Sequence, residues 1–307
     1  MNSVTRTATA SARRTTELNL EDGARRGKWK GEVFRALLIL CLVIAFVTLL
    51  AVIVQAAVKG WSRLDWNLIT QMPSTLDRET SGMKSAIFGT IYLMGGLVLT
   101  VVPIGVSAAI FMEEFADQSK WWVRFIDLNI QNLAAVPSIV FGILGLALIV
   151  RGPLSLGTVA YAGSLTLAML VLPTIILASR EAIRSVPVTL RNGSLGLGAT
   201  KWQTIWHHVL PSAVPGMVTG TILALSRAIG ETAPLLLVGA TVFVTYTPDG
   251  FFDGAYTALP VQIYQWASRP QEEFRILASA GVIVLLAVLL AMNSVAIWIR
   301  NKFTRDL

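Results

Sequence analysis

Residues 213–244 read AVPGMVTGTILALSRAIGETAPLLLVGATVFV, and Arg227 and Glu231 are their only charged residues. An apolar run well beyond about 18 residues reads as a membrane span, not as a helix of a soluble core. Each charge at the centre of such a helix costs roughly 2.5 to 3.5 kcal/mol, while a Leu, Ile or Val returns only about 0.3 to 0.6. Compensation is therefore required. The four-residue spacing stacks the two side chains on one helical face, where they can share charge and face an interior cavity instead of lipid. Three residues beyond Glu231, Pro234 cannot donate to the Gly230 carbonyl and its ring clashes there, so the sequence predicts a break at Gly230 and Pro234. Two readings stay open for the pair. One is a structural ion pair between helices; the other is a wet pathway for an anion, because guanidinium is a permanently charged planar fork of donors that matches oxyanions.

Working outward, further apolar blocks occupy residues 33–58, 86–111, 133–150, 158–178 and 277–299. Together with the first they predict an all-α integral membrane protein with six transmembrane helices. Composition agrees: of 307 residues, 54% are hydrophobic and 14% charged, against about a quarter charged in soluble domains. The formal charge of +7 does not point to nucleic acid, because the basic residues gather at the ends of apolar blocks, as topology signals do. Cys41 is the sole cysteine, which excludes an intrachain disulfide and a thiolate metal cluster. Residues 1–32 are polar and read as a flexible N-terminal tail, and residues 33–307 as one membrane domain. Lys120 and Arg124, the 180–201 basic cluster and Arg300, Lys302 and Arg305 put both termini and the 181–211 loop on the cytoplasmic side of an inner membrane.

That loop, EAIRSVPVTLRNGSLGLGATKWQTIWHHVLP, carries helix punctuation. Pro187 can open a first helix, Gly196 and Gly198 supply a bend, and Thr200 with Gln203 forms a capping box for a second. Leu190, Leu195 and Leu197 leave an apolar edge suited to docking in a groove of another protein, or to lying on lipid headgroups. The spacing Asn192-Gly193-Ser194, Gly198, Leu210-Pro211 resembles the EAA loop of ABC importer permeases, whose helical turn inserts into a nucleotide-binding subunit. Asn192-Gly193-Ser194 stands where Glu-Ala-Ala is usual, and His208 where Ile is usual.

RAIGETAP around Arg227 and Glu231, with ALPVQIYQWASRPQEEF in residues 258–274, is similar to the A-type permeases of phosphate ABC importers. The resemblance implies type I ABC importer permease architecture, with Arg227 and Glu231 on the phosphate pathway. It also implies four sets of partners: a homologous C-type permease, an ABC ATPase dimer that uses ATP and Mg, an extracytoplasmic phosphate-binding protein and the lipid membrane. A C-type permease or one for another oxyanion is the alternative. Neither GxxxxGK[ST] nor HExxH, GxSxG or a Cys/His cluster occurs, so no catalytic residue, metal site or bound cofactor is expected in this chain. An intramembrane enzyme using Glu231 as an acid lacks any accompanying nucleophile. A pure scaffold subunit is the remaining rival, distinguished by whether Arg227 is dispensable.

Overall fold

The computed structural model describes residues 4–75, 77, 80–240, 243–247 and 250–305, and all regular structure among them is helical. The chain divides into two units, Met1–Gln55 and Ala56–Leu307. Helix α1, Val4–Gly60, makes up most of the first unit. The backbone is already helical from Val4, where the sequence reading placed a flexible tail. Once the apolar block has nucleated a helix, each added Ala, Arg, Leu or Glu extends it at little cost.

In the second unit, α2 (Trp66–Thr70) precedes α3 (Lys84–Ile110), which ends in a π turn, Phe111–Phe115. Then follow α4 (Trp121–Ala134), α5 (Ser138–Gly145) with its π turn Leu146–Val150, and α6 (Ala160–Arg184). The loop contributes α7 (Val188–Gly196) and α8 (Lys201–Thr204), and a π turn, Ile205–Val209, joins α8 to α9 (Leu210–Ile229). Last come α10 (Ala233–Leu237), α11 (Leu259–Ala267) and α12 (Glu272–Arg305). Among the described residues five helices are long and apolar enough to cross a membrane, and six if a bent pair counts as one crossing.

That bent pair corrects the block at 133–150, which is not one straight span. α4 and α5 meet at 104°. Pro137 has no N–H and disfavours helical backbone at Val136, and it is itself extended, at φ −56° and ψ 138°. The block at 213–244 is corrected too. Its helix starts earlier, at Lys201, runs without interruption through Pro211 and stops at Ile229. The wider π turn just before Pro211 accommodates a residue that has no donor for the helical ladder.

Close contacts set the directions of the long helices. Ser164 donates to the Leu93 carbonyl at 2.9 Å and a Cβ on Gly105 would meet Ile175, so α3 and α6 run parallel. The chain must therefore return between Phe115 and Ala160, through α4 and α5. Gly216 and Gly220 lie one turn apart against Ala182 and Ala178, which makes α9 antiparallel to α6. Small residues let the two backbones approach, and in lipid such van der Waals packing replaces the hydrophobic drive of water. Across α9, Ser226 Oγ is 2.7 Å from Asn293 Oδ1 and Arg300 Nη1 donates to Thr219 Oγ1 at 3.1 Å. These bonds fix α12 antiparallel to α9, and α6, the most deeply buried long helix, lies at the centre. A Cβ on Gly216 would stand 2.8 Å from the Ala182 Cβ, so Gly216→Val should destabilise the fold by about 1–3 kcal/mol. Thermal unfolding of the detergent-solubilised protein measures this, and an unchanged midpoint would refute the close-packed α6–α9 seam.

Candidate functional site at the end of the ninth helix

α9 ends with Gly230 as its C-terminal cap, and α10 begins at Ala233 with Pro234 in its first turn. The interruption thus spans Gly230 to Thr232, with Arg227 in the last turn of one helix and Glu231 in the gap. Depth follows from the register with α6. Gly220 faces Ala178, so seven residues further Arg227 lies level with the surroundings of Val171, near the middle of α6. The charges are deep in the bundle, as the apolar context predicts, and the helix stops beside them at Gly230, where the sequence places a break.

Arg227 Nε is 3.4 Å from Glu231 Oε1, and the side chains are 57% and 18% exposed. That distance is beyond the 2.7–2.9 Å of a tight charge-assisted bond. The guanidinium therefore presents its fork outward from this chain, while the carboxylate is mostly shielded beside it. A charge facing outward at that depth needs water or another protein in front of it. α10 is held in place by α5: Pro234 is buried, and a Cβ on Gly142 would stand 2.7 Å from the Pro234 Cα.

The other predicted residues form a second constellation at the opposite end of the same rod. Thr200 and Gln203 make the capping box that starts the helix, and Gly198 turns the chain before it at φ +91°, a conformation that favours glycine. From Lys201 to Ile229 the helix is 29 residues, about 44 Å long. Asn192 and Gly193 are exposed on α7, whereas Ser194 is buried and its Oγ lies 3.0 Å from Thr204 Oγ1. Leu210 and Pro211 are half-buried in the first turn of α9. They belong to the rod and not to a separate loop helix, so the expected compact helix-turn-helix opens directly into the membrane helix. Leu190, Leu195 and Leu197 are exposed, Leu197 to 92%. The structure does not bring these loop residues to Arg227 and Glu231; α9 separates them.

Residue-by-residue reading missed three carboxylates. Glu113 and Glu114, in the π turn after α3, and Asp127, on α4, meet arginines known only as topology signals. Arg180 donates from Nε to Glu113 at 2.6 Å and from Nη1 to Asp127, and Arg184 reaches Glu113 from two nitrogens, each at 2.9 Å. Arg191 pairs with Glu114 and donates to the Ile183 carbonyl at 2.8 Å. Their signal in the sequence was FMEEF, two adjacent acids closing an apolar block among basic residues. Among the described residues no cluster of His, Cys, Asp and Glu is arranged to hold a metal ion.

Residues 101–307 match the family described as "Binding-protein-dependent transport system inner membrane component". The chain is 31% identical over 282 residues to the probable ABC transporter permease protein YqgI of Bacillus subtilis (strain 168), covering 87% of this chain and 94% of that one. It is 33% identical over 236 residues to the phosphate transport system permease protein PstA of Mycobacterium leprae (strain TN), covering 76% and 75%. In fold it resembles a chain of the inward-facing MetNI methionine ABC transporter at TM-score 0.55 and 16% identity, covering 72% of this chain and 97% of that chain. A bacterial alginate ABC transporter matches at TM-score 0.55 and 16% identity, over 72% and 78%.

The seat of Glu231 depends on α5 holding α10, and this can be tested without any ligand. Gly142→Val should push the two short helices apart and lower stability by about 1–3 kcal/mol. Gly193→Ala, where an added Cβ meets nothing within 4 Å, should not lower it. Equal thermal midpoints for Gly142→Val and the unmodified protein would show that α10 is held by something else.

Proposed function

The chain belongs to the family of binding-protein-dependent transport system inner membrane components, and on that footing we propose that it is the A-type permease of an ATP-driven inorganic phosphate importer. It is an all-helical ABC importer permease of type I, a non-enzymatic membrane subunit that works with an ATPase and a substrate-binding protein. Phosphate is the substrate named for several of its relatives, including PstA 1 of Mycobacterium tuberculosis at 30% identity over 91% of this chain. The observation that carries the proposal is Arg227. A guanidinium more than half exposed at the depth of mid-α6, at a helix end, is a donor fork suited to meet an oxyanion. Discontinuous helices at mid-membrane are where transporters place their substrate sites.

A homologous C-type permease supplies the facing wall, so that Arg227 looks into a shared aqueous route. Glu231, one turn on, keeps the empty site near neutral and limits how tightly an anion is held. On the cytoplasmic side α7 and the exposed Leu197 dock on the ATPase dimer, which binds ATP and Mg and hydrolyses ATP. Closure of that dimer moves the loop, and the rod from Lys201 to Ile229 carries the movement to Arg227. An extracytoplasmic phosphate-binding protein delivers substrate at the other face. Both termini are cytoplasmic, by the Lys and Arg bias of the loops.

The deciding measurement is labelled-phosphate uptake in cells lacking the chain, with sulfate as the control. Restoring the chain should restore phosphate uptake and leave sulfate unchanged. Arg227→Lys keeps the charge and loses the fork, so uptake should fall at least about tenfold, the worth of one hydrogen bond to a charged group, at equal complex levels. A charge swap, Arg227→Glu with Glu231→Arg, should assemble without transporting, and full uptake by the swapped protein would leave the pair a purely structural one. Topology has its own test in a Cys41→Ser background. Leu197→Cys should react with a membrane-impermeant thiol reagent only after permeabilisation, whereas Ser268→Cys, in an exposed turn, should react in intact cells; the reverse pattern would invert the orientation.

A further inference from the structure

The loop is joined to the bundle in two ways. One is covalent, at both ends: Ser185, Val186 and Pro187 lead from α6 into α7, and the rod begins at Lys201. The other is ionic and involves no residue of the proposed route. At the start of the loop, Arg191 on α7 places Nη1 on Glu114 and Nη2 on the Ile183 carbonyl, 2.8 Å away in the last turn of α6. Glu113, the neighbouring residue, takes Arg180 and Arg184 of α6, and Asp127 of α4 takes Nη1 of Arg180. Three carboxylates meet three guanidiniums, so the group is neutral as a whole. Its inner members are out of water: the Arg180, Glu114 and Glu113 side chains are 3%, 6% and 10% exposed.

Successive residues of an ordinary α-helix point about 100° apart, so two adjacent glutamates do not both address one neighbouring layer. The π turn Phe111–Phe115 widens the helix there, and such turns concentrate at functional positions. Glu113 meets α6 and Glu114 meets α7. The consequence is directional. A push on α7 reaches α3 and α6 through Arg191, and a push on the turn at Gly198 reaches Arg227 through the rod.

We infer that Glu114 and Arg191 form a latch that transmits movement of the cytoplasmic loop to α3 and α6, so that ATP hydrolysis and substrate passage stay coupled. This inference rests on the transport reading above. Glu114 and Arg191 are positioning residues, which touch neither substrate nor nucleotide. With Glu114 buried and Arg191 partly so, the pair is stiff; with one partner removed, the other is left charged and uncompensated, and α7 is free to move without α3.

The test uses the whole importer in proteoliposomes, with ATP hydrolysis and labelled-phosphate uptake measured on the same sample. Glu114→Gln and Arg191→Gln should keep the ATPase bound and hydrolysing, while phosphate moved per ATP falls about tenfold, within the range by which coupling residues act at a distance. Arg191→Lys, which keeps the charge with one contact fewer, should recover part of the ratio. An unchanged ratio in both glutamine variants would overturn the latch. So would loss of the ATPase from the complex, which would make the pair part of the docking face. If neither glutamine variant assembles, Arg191→Lys decides alone, and a wild-type ratio there overturns the proposal. A nitroxide at Leu197→Cys, in the Cys41→Ser background, separates the latch from the substrate assignment. An unmodified importer that hydrolyses ATP but moves no phosphate would sink the substrate reading only. The latch then stands if the label is ordered and becomes mobile with Glu114→Gln, and falls if mobility is unchanged.

Discussion

A guanidinium or carboxylate taken out of water must meet its opposite or bring water with it, and this constraint arranges the interior of the chain. Arg180, Glu113 and Glu114 meet it by pairing. Their cluster is neutral, shielded at these three inner members and built from four separate elements, so its members hold one another in place. Arg227 meets it the other way. Its contact with Glu231 is long, and most of its side chain faces out of the subunit. One group of charges is therefore closed and the other open, and that difference separates the part of the molecule that holds from the part that admits an ion.

Between the two groups stands α9 with its cytoplasmic extension. A helix of this length is stiff along its axis, and its contact with α6 is made by Gly216 and Gly220 against Ala182 and Ala178. Such a seam brings backbones close without interlocking long side chains. On an adjoining face, about a quarter-turn away, Ser226 and Thr219 bind polar atoms of α12, so α9 is guided on two faces. The helix is thus free in only one respect, at its ends, where a turn glycine faces the loop and Gly230 faces the interruption.

The short helices complete the pathway region. α5 and α10 are each too short to span hydrocarbon about 30 Å thick at 1.5 Å per residue. They exist because Pro137 and Pro234 stop the neighbouring segments from continuing, and they fit because Gly142 admits Pro234. Irregular backbone at membrane depth is tolerated where protein or a water-filled cavity surrounds it. That is the setting of Glu231.

From the sequence alone came the membrane class, the approximate spans, the capping box at Thr200, the turn at Gly198 and the pairing of Arg227 with Glu231 along one face. All of these rest on local rules: block length, cap chemistry, the four-residue period of a helix. The same local rules misplaced what depends on neighbours. A single apolar block could not reveal that residues 133–150 bend by 104°, because apolarity measures burial and not direction. Nor could it show that the helix of Arg227 starts as early as Lys201, because a π turn passes Pro211 without a break; its end at Ile229 follows the break that Gly230 and Pro234 announce. Glu113, Glu114 and Asp127 were legible as acids near a basic side, but their partners lie 53 to 77 residues away in the chain. Pairing over such separations is decided only when α3 and α6 pack side by side, because charge finds its partner through space and not along the backbone.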